Sequence, residues 1–281
     1  TIARSTNKQF PDDVEGMGVL GSCLRASNNI DESLKYLNKA IELNPNYAEA
    51  LINRGLVWLS KENKSEALVD LEKAHKLKPH FQQIWDLVIG LKMETEQYSE
   101  TIPLLLNMIE IDNRDEQLLA KMALCHQHLK HKEAAIEAYK KALTINPNFA
   151  EAWNNIGIIL QEQGKIEEAT KAYKNAIDIK PDWAEAFINM GALFQDHGKS
   201  NEAIQAYRSA LVLDQNNAEI YVNIGILLKD QGELEKAVQA FNKALAINPN
   251  NFEAYNNMGN ALRGWGKLDA AVKTFYKALT I

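Results

Sequence analysis

Cysteine is nearly absent from this sequence, with two in 281 residues. That excludes a disulfide-stapled scaffold. No run of about 18 apolar residues is present to cross a bilayer, and no basic-then-apolar segment opens the sequence as a signal peptide would. The expectation is a cytoplasmic protein with no membrane partner. Basic charge is not in excess either: 31 Lys and Arg stand against 37 Asp and Glu, for a net charge of −6. The electrostatic footprint that a phosphate backbone demands is missing, so no nucleic acid partner is expected. The signatures GxxxxGK[ST], GxSxG and HExxH do not occur, which removes a phosphate loop, a nucleophile elbow and a zinc helix from consideration. The expectation is no enzyme, no cofactor and no metal.

What is present is periodic. Pro11, Pro45, Pro79, Pro147, Pro181 and Pro249 fall on one grid of 34 residues, Asn113 and Gln215 occupy the two skipped points, and only Pro103 is off it. A period of this size marks stacked repeats. With the grid residue at repeat position 32, the repeats begin at 14, 48, 82, 116, 150, 184, 218 and 252. Position 8 is then Gly21, Gly55, Gly157, Gly191, Gly225 and Gly259, with Ile89 and Ala123 as departures. Position 27 is Ala in every repeat but the third, which has Met108, and position 24 runs Leu37, Leu71, Leu105, Tyr139, Tyr173, Tyr207, Phe241, Phe275.

Within a repeat the spacing is helical. Trp153, Ile156, Gly157 and Leu160 follow i, i+3, i+4, i+7, and Ala169, Tyr173, Ala176 and Ile177 do so again after the break at Gly164-Lys165. Each repeat therefore reads as helix A, a turn, helix B and a stop at proline. A glycine inside a helix costs about 1 kcal/mol against Ala, so its return at position 8 implies close helix approach, with the large residues at 4 and 24 filling the space beside it. These columns resemble the tetratricopeptide repeat family over residues 14–281. The resemblance implies an all-α, right-handed α-solenoid superhelix of about eight helix-turn-helix repeats, with A helices lining a concave groove.

The first half departs from the pattern. Position 15, Gly164, Gly198, Gly232 and Gly266 in the last four repeats, is Asn28, Glu62, Glu96 and Lys130 in the first four. The third repeat also has Lys92 at position 11 and Pro103 inside helix B; with Ser99 as N-cap, that helix is expected to start late or bend. The expected organisation is 1–13, a remnant of a preceding repeat; 14–132, divergent repeats 1–3 and helix A of repeat 4; and 133–281, regular repeats with the last incomplete and uncapped. A solenoid without caps is expected to self-associate end to end.

Candidate binding residues lie on a second stripe of helix A. Position 6 is Asn53, Asn155, Asn189, Asn223 and Asn257. A carboxamide donates and accepts at once, which suits a peptide backbone, and the column is similar to the asparagine ladder in the repeat domain of O-linked N-acetylglucosamine transferase. Hydrogen bonding between helices is the other use for such a column. Ile158, Ile188, Val222 and Ile226 lie around it as candidate side-chain pockets. Glu151, Glu185, Glu219 and Glu253 at position 2, with Glu162, Asp196 and Asp230 at 13, make the rims acidic, so a neutral or basic peptide is expected rather than an acidic one. Position 5 lacks the Lys or Arg of the family's carboxylate clamp. The expected function is a non-enzymatic scaffold binding an extended segment; the alternative is a substrate-recruiting or oligomerising arm of a larger enzyme, glycosyltransferase- or sulfotransferase-like.

Other polar residues read as structural. His126, His128 and His131 beside Cys125 form the one histidine cluster, in which His128 and His131 could share a face toward a metal. His75 sits in an apolar column and reads as packed. Cys23 and Cys125 occupy position 10, elsewhere apolar, and read as buried. Arg54 stands in the apolar column 7, either snorkelling to water or meeting an ion-pair partner or ligand.

Overall fold

The structure, a computed structural model, describes residues 13–79, 81–112 and 114–281. Apart from Asp13, the remnant expected at 1–13 lies outside the described residues. Among the described residues are sixteen α-helices and no strand. They pair as α1 (Val14–Ala26) with α2 (Ile30–Leu43), α3 (Ala48–Ser60) with α4 (Lys64–Leu77), and α5 (Gln82–Glu94) with α6 (Tyr98–Ile111), after which α7 (Glu116–His128) and α8 (Lys132–Ile145) follow in sequence. The pairs continue as α9 (Ala150–Glu162) with α10 (Ile166–Ile179), α11 (Ala184–Asp196) with α12 (Ser200–Leu213), α13 (Ala218–Asp230) with α14 (Leu234–Ile247), and α15 (Phe252–Gly264) with α16 (Leu268–Leu279). The chain divides into two compact units, Thr1–Ala135 and Ile136–Ile281. Within each, a helix packs on its partner and on the next pair, the stacking of an all-α solenoid.

Every A helix ends by one device. The residue at position 15 takes positive φ in all eight repeats: Asn28, Glu62, Glu96 and Lys130 at 57–61°, and Gly164, Gly198, Gly232 and Gly266 at 68–79°. The next residue donates back across the turn, as in Asn63 N to Trp58 O (2.9 Å) and Lys165 N to Leu160 O (2.9 Å), the closing bond of a Schellman cap. The first four repeats thus hold a side chain in the left-handed region that glycine occupies without penalty. Replacing Glu62, Glu96 or Lys130 with Gly is expected to stabilise by about 0.5 kcal/mol each, the relief of that strain less glycine's added unfolded-state entropy. Urea midpoints of the single variants and the triple, additive for such distant sites, check it.

The B helices stop without depending on proline. Asp112 and Asp214, which no proline follows, take the same extended backbone (φ −129° and −132°) as Asn44 and Asn248 before their prolines (φ −135° and −123°). At each, the side-chain oxygen accepts from the N–H two residues on: Asn46 N to Asn44 Oδ1 at 3.0 Å, Asn216 N to Asp214 Oδ1 at 3.1 Å. An Asx turn redirects the chain, and proline reinforces it.

Between the helices of a pair, position 8 meets position 24. A Cβ built on Gly157, Gly191 or Gly225 would lie 2.5–2.7 Å from ring carbons of Tyr173, Tyr207 or Phe241, and those three rings are at most 1% exposed. Pro103 does not delay its helix. α6 begins at Tyr98 with Gln97 as its cap, so Ser99 is inside the helix and not its N-cap. Pro103 and Ser99 are both exposed; the carbonyl that loses its donor therefore faces water, which satisfies it. On α16, Leu268, Val272, Tyr276 and Leu279 are exposed along one stripe.

Candidate functional site

The A helices of the second unit carry a polar stripe, several of whose members bond to buried tyrosines. A tyrosine hydroxyl enclosed in a core needs a partner, and here the partners come from two repeats. Tyr173 donates to Gln161 Oε1 (2.9 Å) and Tyr207 to Gln195 Oε1 (2.9 Å), both at position 12 of the same repeat. Tyr139 accepts from Asn155 Nδ2 of the next repeat (3.0 Å). Asn189 instead donates to Asn154 Oδ1 (3.1 Å), a carboxamide only 2% exposed. Gln161 extends the stripe to Asp196 Oδ2 (3.1 Å). Where position 24 turns to Phe241 the hydroxyl is gone, and Lys229 at position 12 donates directly to Asn257 Oδ1 (3.1 Å).

The asparagine column is therefore not the uncommitted ladder that the sequence resemblance suggested. Each member is half-buried, and four of the five bond inside the protein: besides Asn155 and Asn189, Asn53, in the first unit, turns its Nδ2 back to Glu49 O (2.9 Å), as Asn257 does to Glu253 O (3.1 Å). Of the apolar candidates, Ile158, Ile188 and Ile226 are half-buried, whereas Val222 is 2% exposed within the core. Val222 therefore forms no surface pocket, because position 5 of α13 turns into the packed cluster. The hydroxyl and position-12 partners were overlooked in the sequence, yet a signal exists: Gln127, Gln161 and Gln195 occur where position 24 is Tyr, and at no other repeat.

Burial makes these hydroxyls weak acids. Tyr207 is pushed up to about 12, first by desolvation and next by the charge of Asp196, against the opposing effect of the nearby Asn223 carboxamide. Tyr173 is raised by burial and then by Glu162. An unfolded chain ionises tyrosine near pH 10, so the folded state holds protons that the unfolded state has lost above that pH. This stability is whole below pH 10 and falls as pH rises toward 12. The urea midpoint is expected to drop between pH 9 and 11.5, and to drop less in Tyr207→Phe.

The first unit places charge where the second has apolar groups. Arg54 neither snorkels nor waits for a ligand. Its Nε and Nη2 each donate to Asp70 at 2.7 Å, and Nη1 donates to Asn38 Oδ1 at 2.8 Å. Lys92, 4% exposed, lies 2.6 Å from Glu72 and 2.7 Å from Glu100. Burial pulls its pKa down, but the two carboxylates outweigh that and hold it charged, with a net rise.

The histidines have structural contacts. His128 stacks on Tyr98 (4.2 Å, 7°), and His126 faces His131 (5.8 Å). Among the described residues no group of three or more His, Cys, Asp or Glu is placed to hold a metal. His75 packs edge-on against Trp85 (4.1 Å) and is held neutral by burial. Cys125 is buried, its thiol pushed up to about 11 by desolvation. Cys23, expected buried, is exposed; α1 has no described helix pair before it to cover that side. A GxGxxG spacing does occur, at Gly16, Gly18 and Gly21, but all three lie within α1. Added Cβ atoms there would meet Asp13, Tyr47 and Leu37, which makes them packing glycines and not a phosphate cradle. No helix of the described residues is long and apolar enough to cross a membrane.

Comparison with known proteins follows the same lines. The family model of the TPR repeat matches residues 21–62, 132–164, 193–232 and 225–264, and the tetratricopeptide repeat matches 150–182 and 252–281. No curated protein matches significantly. Among solved structures, MamA is 30% identical, with 57% of this chain and 93% of that one covered at a TM-score of 0.54. YrrB, described as a TPR protein with an unusual peptide-binding site, is 22% identical, covering 66% and 96% at a TM-score of 0.57. A MamA fragment from Desulfovibrio magneticus RS-1 is 18% identical, covering 59% and 93% at 0.54. A 34-residue helix pair that recurs through the chain, matched over more than half of its length by the family's own model, makes this protein a member of the tetratricopeptide repeat family and its fold that of a protein-interaction scaffold.

Proposed function

We propose that the second unit binds an extended peptide segment, neutral or basic, along the A-helix stripe. The observation that carries this is the tethering of Asn155 to the buried Tyr139 hydroxyl and of Asn189 to the buried Asn154 carboxamide. A carboxamide has two N–H donors and an oxygen with two lone pairs, so one internal bond leaves donor and acceptor capacity on a side chain whose position is already held. Little rotamer entropy then remains to be lost on binding. Half-buried Ile158, Ile188 and Ile226 offer apolar contact beside these amides. Exposed Glu185, Glu219 and Glu253 supply negative potential, while Glu151 is partly neutralised by Lys180 at 3.3 Å. The similarity in fold to YrrB, which has a peptide-binding site of its own, agrees with this reading.

The test uses unstructured peptides of positive, zero and negative net charge. Basic and neutral peptides are expected to bind and acidic ones to bind weakest at this stripe. Asn155→Ala, Asn189→Ala and Asn223→Ala together are expected to weaken binding by about tenfold or more, each lost bond being worth about 1 kcal/mol. Circular dichroism checks that the variant remains folded. Unchanged affinity in a folded triple variant removes the proposal.

A further inference from the structure

The second unit has another concavity, lined by two B helices and one A helix and sharing no residue with the A-helix stripe. Between α12, α13 and α14 lies a pocket of about 260 Å³. Its floor is apolar, formed by Leu211, Ile224 and Leu228. Three cations border it: Arg208 on α12, and Lys236 and Lys243 on α14. Lys243 Nζ sits 5.5 Å from the ring centroid of Tyr221, which forms one wall. Lys236 pairs with Glu233 at 2.5 Å, whereas Arg208 and Lys243 carry no ion pair among the described residues.

This charge is local. The chain carries a net −6, and the repeat provides its own comparison. The three cations stand at positions 25, 19 and 26. One repeat earlier those columns hold Lys174, Glu202 and Ser209; one repeat later they hold Asn242, Ala270 and Lys277. Position 19 is acidic in five of the eight repeats, at Glu32, Glu66, Glu100, Glu168 and Glu202. Lys236 reverses it where Arg208 and Lys243 are already present.

We infer that this pocket is a docking site for an acidic linear segment of a partner protein, one in which a Leu or Phe side chain is flanked by Asp or Glu. The apolar floor takes a single large side chain and the three cations take the flanking carboxylates, in the arrangement of an apolar anchor with a charged rim. A nucleic acid fits less well. It needs an extended basic track along its backbone, and the columns on either side do not continue one. The site would let one unit hold two partner segments of opposite charge preference at separate places.

The experiment uses the full chain and a labelled twelve-residue peptide that alternates Asp and Glu with Leu and Phe. Its comparison probes are the same peptide with Ser for Leu and Phe, the same peptide with Lys for Asp and Glu, and a twelve-nucleotide oligothymidine. The acidic apolar peptide is expected to bind, more weakly as salt rises, and to lose at least about tenfold in affinity in the variant Arg208→Glu with Lys236→Glu. Both residues are exposed, and circular dichroism confirms folding. The same charge change made one repeat away on each side, Lys174→Glu with Lys277→Glu, is expected to leave binding within about twofold. The triple asparagine variant of the A-helix stripe is also expected to leave it unchanged, so failure here and failure of the groove reading are separable. Equal loss in both double variants, no loss in the first, binding of the Ser peptide as tight as the original, or tighter binding of oligothymidine would each overturn the inference.

Discussion

Gly225→Val is expected to lower the unfolding free energy of the second unit by about 3 kcal/mol, the upper part of the range for overpacking a close-packed interior. The reason is geometric. A single Cβ at this position falls 2.5 Å from Phe241 Cε1 and 2.8 Å from Cδ1. Phe241 is 0% exposed, so the ring cannot swing into solvent; it must push α13 and α14 apart. The gain in helix propensity over glycine is at most about 1 kcal/mol and does not offset this. Urea unfolding followed by circular dichroism measures the loss. Adding Phe241→Leu is expected to restore part of it, because the third repeat accommodates Ile89 and Leu105 in the same two columns, both 0% exposed. A double variant no more stable than Gly225→Val would show that the clash lies elsewhere.

Asp70→Ala is expected to destabilise the first unit by about 2 kcal/mol. Loss of one partner from a buried ion pair costs about 3–5 kcal/mol where both groups are enclosed. The Arg54 side chain is 22% exposed and Asp70 4%, and Arg54 keeps Asn38, so water and that amide soften the penalty. The revealing variant is the double, Arg54→Met with Asp70→Ala. It recreates the columns of the sixth repeat, where Met190 and Ala206 stand at positions 7 and 23. Apolar replacement of a buried pair is often neutral or stabilising, so the double variant is expected to be at least as stable as the native chain. A double variant as unstable as Asp70→Ala alone would mean that the pair contributes more than its burial costs.

Much of this molecule was legible from its columns. The 34-residue grid, the small residues at 8 and 27 and the large one at 24 describe a helix pair whose packing repeats, and the structure sets Gly191 against Tyr207 and Gly225 against Phe241 accordingly. The non-glycine residues at position 15 looked like departures from a turn. They are the same turn under strain, since Glu62 and Gly164 share the left-handed region. Helix α6 shows the opposite error: Pro103 suggested a late start, but the proline lies on an exposed face where a lost hydrogen bond costs little.

By itself the sequence determined the period, the helix pairs and the columns that must be small, because these follow from spacing along the chain and from the steric needs of single residues. Only tertiary structure decided how the polar side chains are used. Arg54 finds Asp70 and Asn38 sixteen residues away on either side, the tyrosine hydroxyls are shared between repeats, Val222 turns inward and Cys23 outward, and Arg208, Lys236 and Lys243 gather around one pocket. A hydrogen bond or charge pair depends on distances of a few ångströms between atoms from different helices. Periodicity states that those helices are neighbours, but the stacking of one pair on the next determines which side chains meet.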